Sequence, residues 1–268
     1  MKYLFWNTFK NPEINTFLEP LIREQECDVV LLAEYTDNVI DLLKNLSKND
    51  YSLYLIPPIA CFRITTLSIF KPGNVKPINS RTHFTIMQMP HKTLGFHLLV
   101  GVHFPSKLHG NDHLTFIAES IDLKQCIEEA ENLIGNNKTV IVGDFNMNPF
   151  EEPMVGALAL HSIPTQEEAK RGNRIINKRQ YSMFYNPMWN LFGDKNMPAG
   201  TYYYSKSGHV TYFWNMFDQV IIRPSLFDNF DIDSLKIIDK VNGTPLVNTN
   251  GRPKQQISDH LPIVFEIT

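Results

Sequence analysis

The sequence predicts an α/β fold, a four-layered α/β sandwich in which two packed mixed β-sheets are flanked by helices. Short apolar segments rich in β-branched and aromatic residues, typical of strands, alternate with segments whose apolar residues recur at helical spacing. This alternation continues over the whole chain. With 268 residues, 43% of them hydrophobic, the chain is also long enough to bury a large core. Because no repeat or linker interrupts the pattern, we expect one domain over residues 1–268.

The helices and strands follow from the spacing of apolar residues. Helical spacing predicts helices over 12–26, 36–46 and 113–134 and a short helix over 151–161. Runs of β-branched and aromatic residues predict strands over 2–6, 28–33, 51–56, 62–70, 84–89, 94–104, 138–142, 202–204, 217–222 and 261–267. The polar stretch 162–200 lies between strands, and we expect it to be a functional insertion in the same domain.

Composition limits the classes of protein and their location. No apolar run approaches the eighteen or more residues of a membrane span, and the four apolar residues before Asn7 are too few for a signal-peptide core. The three cysteines, Cys27, Cys61 and Cys126, are far apart and form no CxxC pair, which argues against a disulfide framework. We therefore expect a cytoplasmic protein without a membrane partner. The formal net charge of −3 on its own disfavours a polyanionic partner.

Polar side chains stand where the predicted strands begin or end. They are Asn7, Glu34, His103, Asp144, Asn146, Asp218, Asp259 and His260. Taken singly, each has an ordinary explanation as a turn, capping or core residue. Since a buried strand rarely carries carboxylates or imidazoles at its end unless they are paired or bind something, the whole set indicates a site.

Six segments carry a family resemblance: LFWN (4–7), LLAEY (31–35), VHFPS (102–106), VGDFNMNP (142–149), WNMFDQVII (214–222) and SDHLPI (258–263). In this order and over this span, the chain resembles the endonuclease/exonuclease/phosphatase superfamily. This metal-dependent group includes DNase I, abasic-site endonucleases, deadenylases, sphingomyelinases and inositol polyphosphate 5-phosphatases. The combination of GDFN with a C-terminal SDH carries most of the resemblance. It implies a single domain of this kind and hydrolysis of phosphate esters.

The resemblance also implies a metal site. Glu34 matches the principal metal ligand of the family, and Asn7 and Asp259 match positions that contribute directly or through water. An oxygen-only ligand set suits Mg²⁺ or Mn²⁺, which bridge to substrate phosphate. We therefore expect Mg²⁺ or Mn²⁺ as the cofactor.

Five further residues match catalytic positions. By resemblance, Asp144 orients or deprotonates the attacking water, and Asn146 donates a hydrogen bond to the phosphate. His260 matches the catalytic histidine, and Asp218 matches the carboxylate that fixes its tautomer and stabilises its positive form. Whether Asp144 or His260 takes the proton stays open. His103 corresponds to a histidine of the DNase I and sphingomyelinase branches, where it is a candidate general acid.

Two positions depart from the family pattern. Many nucleases of the family have an acidic residue two positions after the first asparagine, but here that position is Phe9, which weakens the case for a second metal. The neighbouring strand FRITTLSIF offers His103 no carboxylate, but it does offer Arg63, either as a phosphate contact or as a surface arginine without a catalytic role.

The substrate is the least determined part. The stretch 170–180 contains five basic residues and no acid: Lys170, Arg171, Arg174, Lys178 and Arg179. A basic loop beside an acidic metal site is suited to binding a polyanion. The formal net charge of −3 therefore does not exclude a local phosphate-binding surface. Aromatic residues after this loop are candidates for stacking on bases, with burial in the core as the alternative. We expect a nuclease acting on DNA, with RNA second. The alternative is a phosphoesterase acting on a lipid or inositol phosphate headgroup.

Overall fold

The computed structural model describes residues 1–48, 50–107, 113–195, 197–206 and 209–268. The helices within these ranges are α1 (Asn15–Gln25), α2 (Val39–Ser47), α3 (His113–Ile134), α4 (Glu152–Val155) and α5 (Gln166–Ala169). The strands are β1 (Lys2–Asn7), β2 (Val29–Ala33), β3 (Tyr54–Ile56), β4 (Ile64–Ser68), β5 (Lys76–Ser80), β6 (Phe84–His91), β7 (Gly95–His103), β8 (Thr139–Asp144), β9 (Ser162–Ile163), β10 (Asn173–Ile176), β11 (Arg179–Ser182), β12 (Phe184–Tyr185), β13 (Tyr202–Tyr203), β14 (Trp214–Asn215), β15 (Asp218–Ile222), β16 (Phe230–Ile237), β17 (Lys240–Val241), β18 (Thr244–Pro245) and β19 (Ile263–Ile267).

Two large mixed sheets form the centre of the molecule. One has six strands in the order β16-β19-β1-β2-β4-β3, and the other has seven in the order β5-β6-β7-β8-β15-β12-β9. In the first sheet β1 runs parallel to β2 and antiparallel to β19. In the second, β7 runs parallel to β8, and β15 runs antiparallel to β8. The predicted four-layered α/β sandwich is confirmed.

Alternation along the strands explains the layers. In β1, Tyr3 and Phe5 point into the core between the two sheets, where they join residues of β2, β8 and β15. Leu4 and Trp6 point the other way and pack with apolar residues of α1 and α2. Since successive side chains of a strand point to opposite faces, one strand serves two cores. On the far side, α3 packs on the seven-stranded sheet through residues such as Leu123.

The predicted elements differ from the structure mainly at polar edges. Helix α3 has the predicted bounds, whereas the helix predicted over 151–161 ends at Val155. Its backbone leaves the helix at Gly156, whose ψ of 135° is extended. The polar strands β5 and β16 were not predicted, because their largely exposed residues lack the apolar pattern of a buried strand. None of the helices in the described ranges is long and apolar enough to cross a membrane.

A buried histidine lies between the sheets, away from the strand ends discussed below. The His97 side chain is 0% exposed, and its Nε2 lies 2.9 Å from the Tyr3 hydroxyl. Burial, with a smaller contribution from the nearby His91, lowers the pKa of His97 to about 3. Because an unfolded histidine has a pKa near 6.5, the unfolded chain takes up a proton at mildly acidic pH that the folded chain does not.

We therefore expect His97 to make the protein acid-sensitive. The free energy of unfolding contains the full contribution of His97 above about pH 6.5, where the histidine is neutral in both states. Below about pH 6.5 this contribution falls by about 1.4 kcal/mol per pH unit, down to the pKa of His97 in the folded protein. The measurement is urea unfolding of the wild type and of His97→Gln at pH 7 and pH 4.5. The advantage of the wild type over the variant should shrink at the lower pH. An advantage of constant size would contradict the assignment.

Candidate active site

Three neighbouring strands of the seven-stranded sheet bring three titratable residues into one row. His103 ends β7, Asp144 ends β8, and Asp218 begins β15. His103 lies opposite Asp144 in the parallel pairing, and Asp144 lies opposite Asp218 in the antiparallel one. The glycine before Asp144 permits this close packing, because a Cβ atom on Gly143 would lie 1.9 Å from the carbonyl oxygen of Val102. A substituent there would push β7 and β8 apart.

The six-stranded sheet completes the site from the other side. Asn7 ends β1, and Glu34 follows the end of the parallel strand β2. Asp259 and His260 precede β19, which is antiparallel to β1 and so returns to the same edge. The Asn7 side chain joins the two sheets, since its Nδ2 donates to Asp144 Oδ2 at 2.9 Å. The predicted convergence of polar strand ends is thus present.

A cavity of about 480 Å³ opens at this edge. Its lining includes Asn7, Glu34, Asp144, Asn146, Asp259 and His260. Asp218 is 0% exposed and lies behind His260, and His103 is 6% exposed. Of the eight residues predicted at strand ends, six therefore face the cavity and two support it from below.

His260 and Asp218 form a buried ion pair. His260 Nδ1 lies 2.8 Å from Asp218 Oδ2, which leaves Nε2 turned toward Asp144 Oδ2 and Asp259 Oδ1, each 3.9 Å away. Burial alone opposes a charge on His260. The carboxylates of Asp218 and Asp144 outweigh burial and raise the pKa of His260 to about 10. The pair has the geometry that fixes the orientation of an imidazole and stabilises its positive charge.

Asp144 is held on both oxygens. The backbone N–H of Asn146 donates to Oδ1 at 2.8 Å, and Asn7 donates to Oδ2. Asn146 has a φ of 52°, a conformation that asparagine tolerates better than most residues, and its Nδ2 donates to the carbonyl oxygen of Phe104. The Asp144 carboxylate is therefore fixed in position at the base of the cavity.

His103 lies between two carboxylates without a close partner. Its Nε2 is 3.7 Å from Glu34 Oε1 and 4.0 Å from Asp144 Oδ2, and its buried Nδ1 has no hydrogen-bond partner among the described residues. Burial lowers the pKa of His103, and the positive charge of Arg63 contributes in the same direction. Arg63 itself is exposed and does not line the cavity, although it directly precedes β4 beside the end of β2.

The residues at the cavity floor fit a divalent cation. Asp259 Oδ1 is buried without a hydrogen-bond partner in the described part of the chain, and burial raises the pKa of the Asp259 carboxyl group. Such an oxygen is costly unless a cation or another ligand meets it. Glu34, 26% exposed in its side chain, lines the same cavity. Together with the Asn7 side-chain oxygen, they provide the oxygen ligands that Mg²⁺ and Mn²⁺ prefer.

A second group of possible ligands consists of Asp144, Asp218 and His260, whose donor atoms all lie within 4.8 Å of one another. We consider this group a poorer metal site. His260 Nδ1 and Asp218 Oδ2 are already hydrogen-bonded to each other, and Asp218 has no exposed surface. The hydrogen bond and the burial favour a catalytic pair over a cation site.

The structure adds Lys107 and Phe217 to the residues singled out in the sequence, and it separates the candidate aromatic residues into two groups. Lys107 lies at the cavity wall, with Nζ 2.6 Å from Glu151 Oε1. Tyr202, Tyr204 and Phe217 also line the cavity, whereas Tyr185 from the same aromatic-rich region is buried in the core. Tyr202 and Tyr204 are therefore placed where a base could stack on them, and Tyr185 is a core residue. Spacing alone did not distinguish them, because β13 is only two residues long.

The basic stretch occupies a different place from the one expected. Its residues form the antiparallel hairpin β10–β11 and the turns beside it, and the cavity lining includes none of Lys170, Arg171, Arg174, Lys178 and Arg179. The carbonyl of Met183, just after the hairpin, accepts a hydrogen bond from Arg223. Arg223 follows the last residue of β15, whereas Asp218 is the first residue of that strand. The hairpin is therefore bonded to the end of β15 that lies away from Asp218. These five residues therefore do not line the cavity, and a phosphate-binding role for them stays a prediction.

No protein-family model matches the chain, and no curated protein matches it in sequence. Solved structures do match. A protein of the endonuclease/exonuclease/phosphatase family from Bacteroides thetaiotaomicron matches with a TM-score of 0.56 and 9% identity, covering 100% of this chain and 97% of that one. This chain has the endonuclease/exonuclease/phosphatase fold. The resemblance predicted from the sequence is confirmed at the level of the fold.

Two further structures with the endonuclease/exonuclease/phosphatase fold are similar to this chain. TDP2 of D. rerio, complexed with a single-strand DNA product, has a TM-score of 0.56 and 15% identity, with coverage of 100% and 98%. An AP endonuclease from Archaeoglobus fulgidus has a TM-score of 0.55 and 11% identity, with coverage of 100% and 99%. At these identities the likeness establishes the fold and leaves the reaction to be argued from the site.

Proposed function

We propose that this chain is a divalent-metal-dependent phosphodiesterase, an intracellular nuclease that hydrolyses DNA or RNA phosphodiester bonds by metal-assisted in-line attack of water. One observation carries the proposal. The buried His260–Asp218 pair turns Nε2 toward Asp144 and Asp259 in a cavity whose floor contains an Asp259 oxygen with no hydrogen bond from the described residues. The fold neighbours that act on DNA, TDP2 and the AP endonuclease, favour a nucleic-acid substrate.

The catalytic roles follow from the contacts. The attacking water gives its proton to the Asp144 carboxylate, which is held in place on both oxygens at the cavity floor. Asp218 fixes the orientation of the His260 ring and stabilises its positive charge. Asn146 has a second N–H on its side-chain amide, in addition to the one bonded to Phe104, and this N–H donates to a non-bridging phosphate oxygen. His103 lies beneath the cavity beside Asp144 and Glu34 and helps to position these two carboxylates.

Glu34, Asp259 and Asn7 hold the cation. When bound, Mg²⁺ or Mn²⁺ supplies Lewis-acid stabilisation of the negative charge on the phosphate. The protein contributes the remaining chemistry by fixing the position of each group. Arg63, which directly precedes β4 beside the end of β2, is a further candidate contact to a phosphate outside the cavity.

The test is a substrate panel with a matched variant. Wild-type protein with Mg²⁺ or Mn²⁺ should nick plasmid DNA or degrade RNA, and EDTA should stop both reactions. Asp144→Asn, purified in the same way, reveals any contaminating nuclease. Hydrolysis of inositol phosphates or sphingomyelin with nucleic acid left intact would overturn the nuclease assignment in favour of a headgroup phosphoesterase.

A further inference from the structure

The loop after β1 presents an aromatic ring to the cavity in a strained backbone conformation. Phe9 and Lys10 have φ values of 52° and 54°, in the left-handed region that non-glycine residues seldom adopt. The conformation is held by hydrogen bonds from Phe9 N to Asn7 Oδ1 and from Lys10 N to the Glu34 carbonyl oxygen. Phe9 lines the cavity and is still 48% exposed. Strain that places a bulky apolar side chain in contact with water points to a function for that side chain.

The other half of the sandwich contributes further rings. Tyr202 and Phe217 are stacked with centroids 5.2 Å apart, and Tyr202 and Tyr204 are stacked at 6.5 Å. Tyr202 also lies against His260, with centroids 4.8 Å apart. All three rings line the cavity that Phe9 lines. The cavity therefore has carboxylates on its floor and aromatic rings in its walls, directly beside His260.

Aromatic faces and a phosphate-binding floor suit different parts of one ligand. The floor holds a phosphate with its cation, and the rings offer flat apolar surfaces on which a nucleobase can stack. A base inside a duplex exposes only its edges, because its faces are covered by neighbouring base pairs. Only an unpaired base, in a single strand or turned out of a helix, can place its face against Phe9 or the tyrosines.

We infer that the cavity binds an unpaired nucleotide next to the scissile phosphate, with its base stacked against Phe9, so that single-stranded nucleic acid is the preferred substrate. This inference rests on the proposed function. The volume of about 480 Å³ lies in the range of sites for one small ligand, which excludes an intact duplex from the interior. Lys10, the next residue, also lines the cavity and supplies a positive charge for the adjoining phosphate.

The experiment uses an oligonucleotide with one 2-aminopurine, whose fluorescence is quenched when the base stacks on an aromatic ring. Wild-type protein in EDTA should quench it, and Phe9→Leu should bind about tenfold more weakly, since stacking contributes on that scale. Leucine keeps an apolar side chain at the same backbone position but removes the flat face. Phe62→Leu is the matched control, because Phe62 is 79% exposed but does not line the cavity.

A second measurement compares kcat/KM for single-stranded and duplex forms of one sequence with Mg²⁺. The wild type should prefer the single strand, and Phe9→Leu should lose most of that preference. Unchanged 2-aminopurine fluorescence in the wild type, equal rates on the two forms, or equal losses in both leucine variants would overturn the inference. If Phe9→Leu fails to fold, the two wild-type measurements still decide. An enzyme that hydrolyses no nucleic acid at all would instead refute the proposed function.

Discussion

Replacing Asp144 or His260 with alanine is expected to lower kcat/KM on the preferred nucleic acid by at least about a hundredfold, the scale of a general acid or base. Each substitution removes one member of the pair at the cavity floor. Loss of Asp144 leaves the Asn7 amide and the Asn146 N–H without their acceptor, and loss of His260 leaves the buried Asp218 carboxylate without its partner. Initial rates at saturating and at low substrate concentration separate the effect on kcat from that on KM.

Two controls distinguish a chemical effect from unfolding. Asp231→Ala removes an exposed carboxylate on β16 and should leave the rate unchanged. Asp218→Asn keeps the shape of the catalytic pair but removes its charge. Combined with His260→Ala, it should cause little additional loss, because the two residues act as one unit. Near-normal rates in the alanine variants, with unchanged circular dichroism spectra, would contradict the mechanism.

Metal removal is the second large effect. EDTA should abolish activity, and Mn²⁺ at about ten times its Kd should stabilise the folded wild type by about 1.4 kcal/mol, because the cation binds only the folded chain. The corresponding rise in Tm is about 3 °C for a chain of this size. Glu34→Gln and Asp259→Asn should lose both the activity and most of this shift.

The same two variants provide an internal check in EDTA. Without a cation, Glu34, Asp144 and Asp259 place carboxylates around one cavity, and burial together with the charge of Asp144 acts to raise the pKa of Asp259. Neutralising one carboxylate relieves repulsion, so each variant should melt in EDTA at or above the wild-type temperature. A variant that melts much lower would show structural damage. A full Mn²⁺ shift in both variants would place the cation elsewhere.

The fold and the floor of the site were predictable because both depend on short patterns. Apolar alternation locates buried strands such as β2 and β8, and polar residues such as Glu34 and Asp144 mark where those strands end. Topology then brings the ends together. The division into one domain stays a prediction, as do the roles of the individual residues.

The hairpin β10–β11 and the aromatic walls were not predictable in the same way. The hairpin turns at Asn177 and Lys178, both with positive φ, so it has the backbone of a tight hairpin without the Asn-Gly pair that usually reveals one. Its strands are short and polar. Whether Tyr185 or Tyr202 faces a cavity depends on packing at the end of the sheet, and a two-residue strand has too few positions to show a period.

The pairing of Asp144 opposite Asp218 links activity to folding. A slip of β15 by one residue against β8 would turn Asp218 to the other face of the sheet, away from Asp144, and His260 would lose its partner. Since Asn7 reaches Asp144 only when the two sheets are docked, a partly folded chain lacks both the proposed catalytic pair and the complete proposed cation site. During refolding, catalytic turnover should therefore return only when the two sheets have docked.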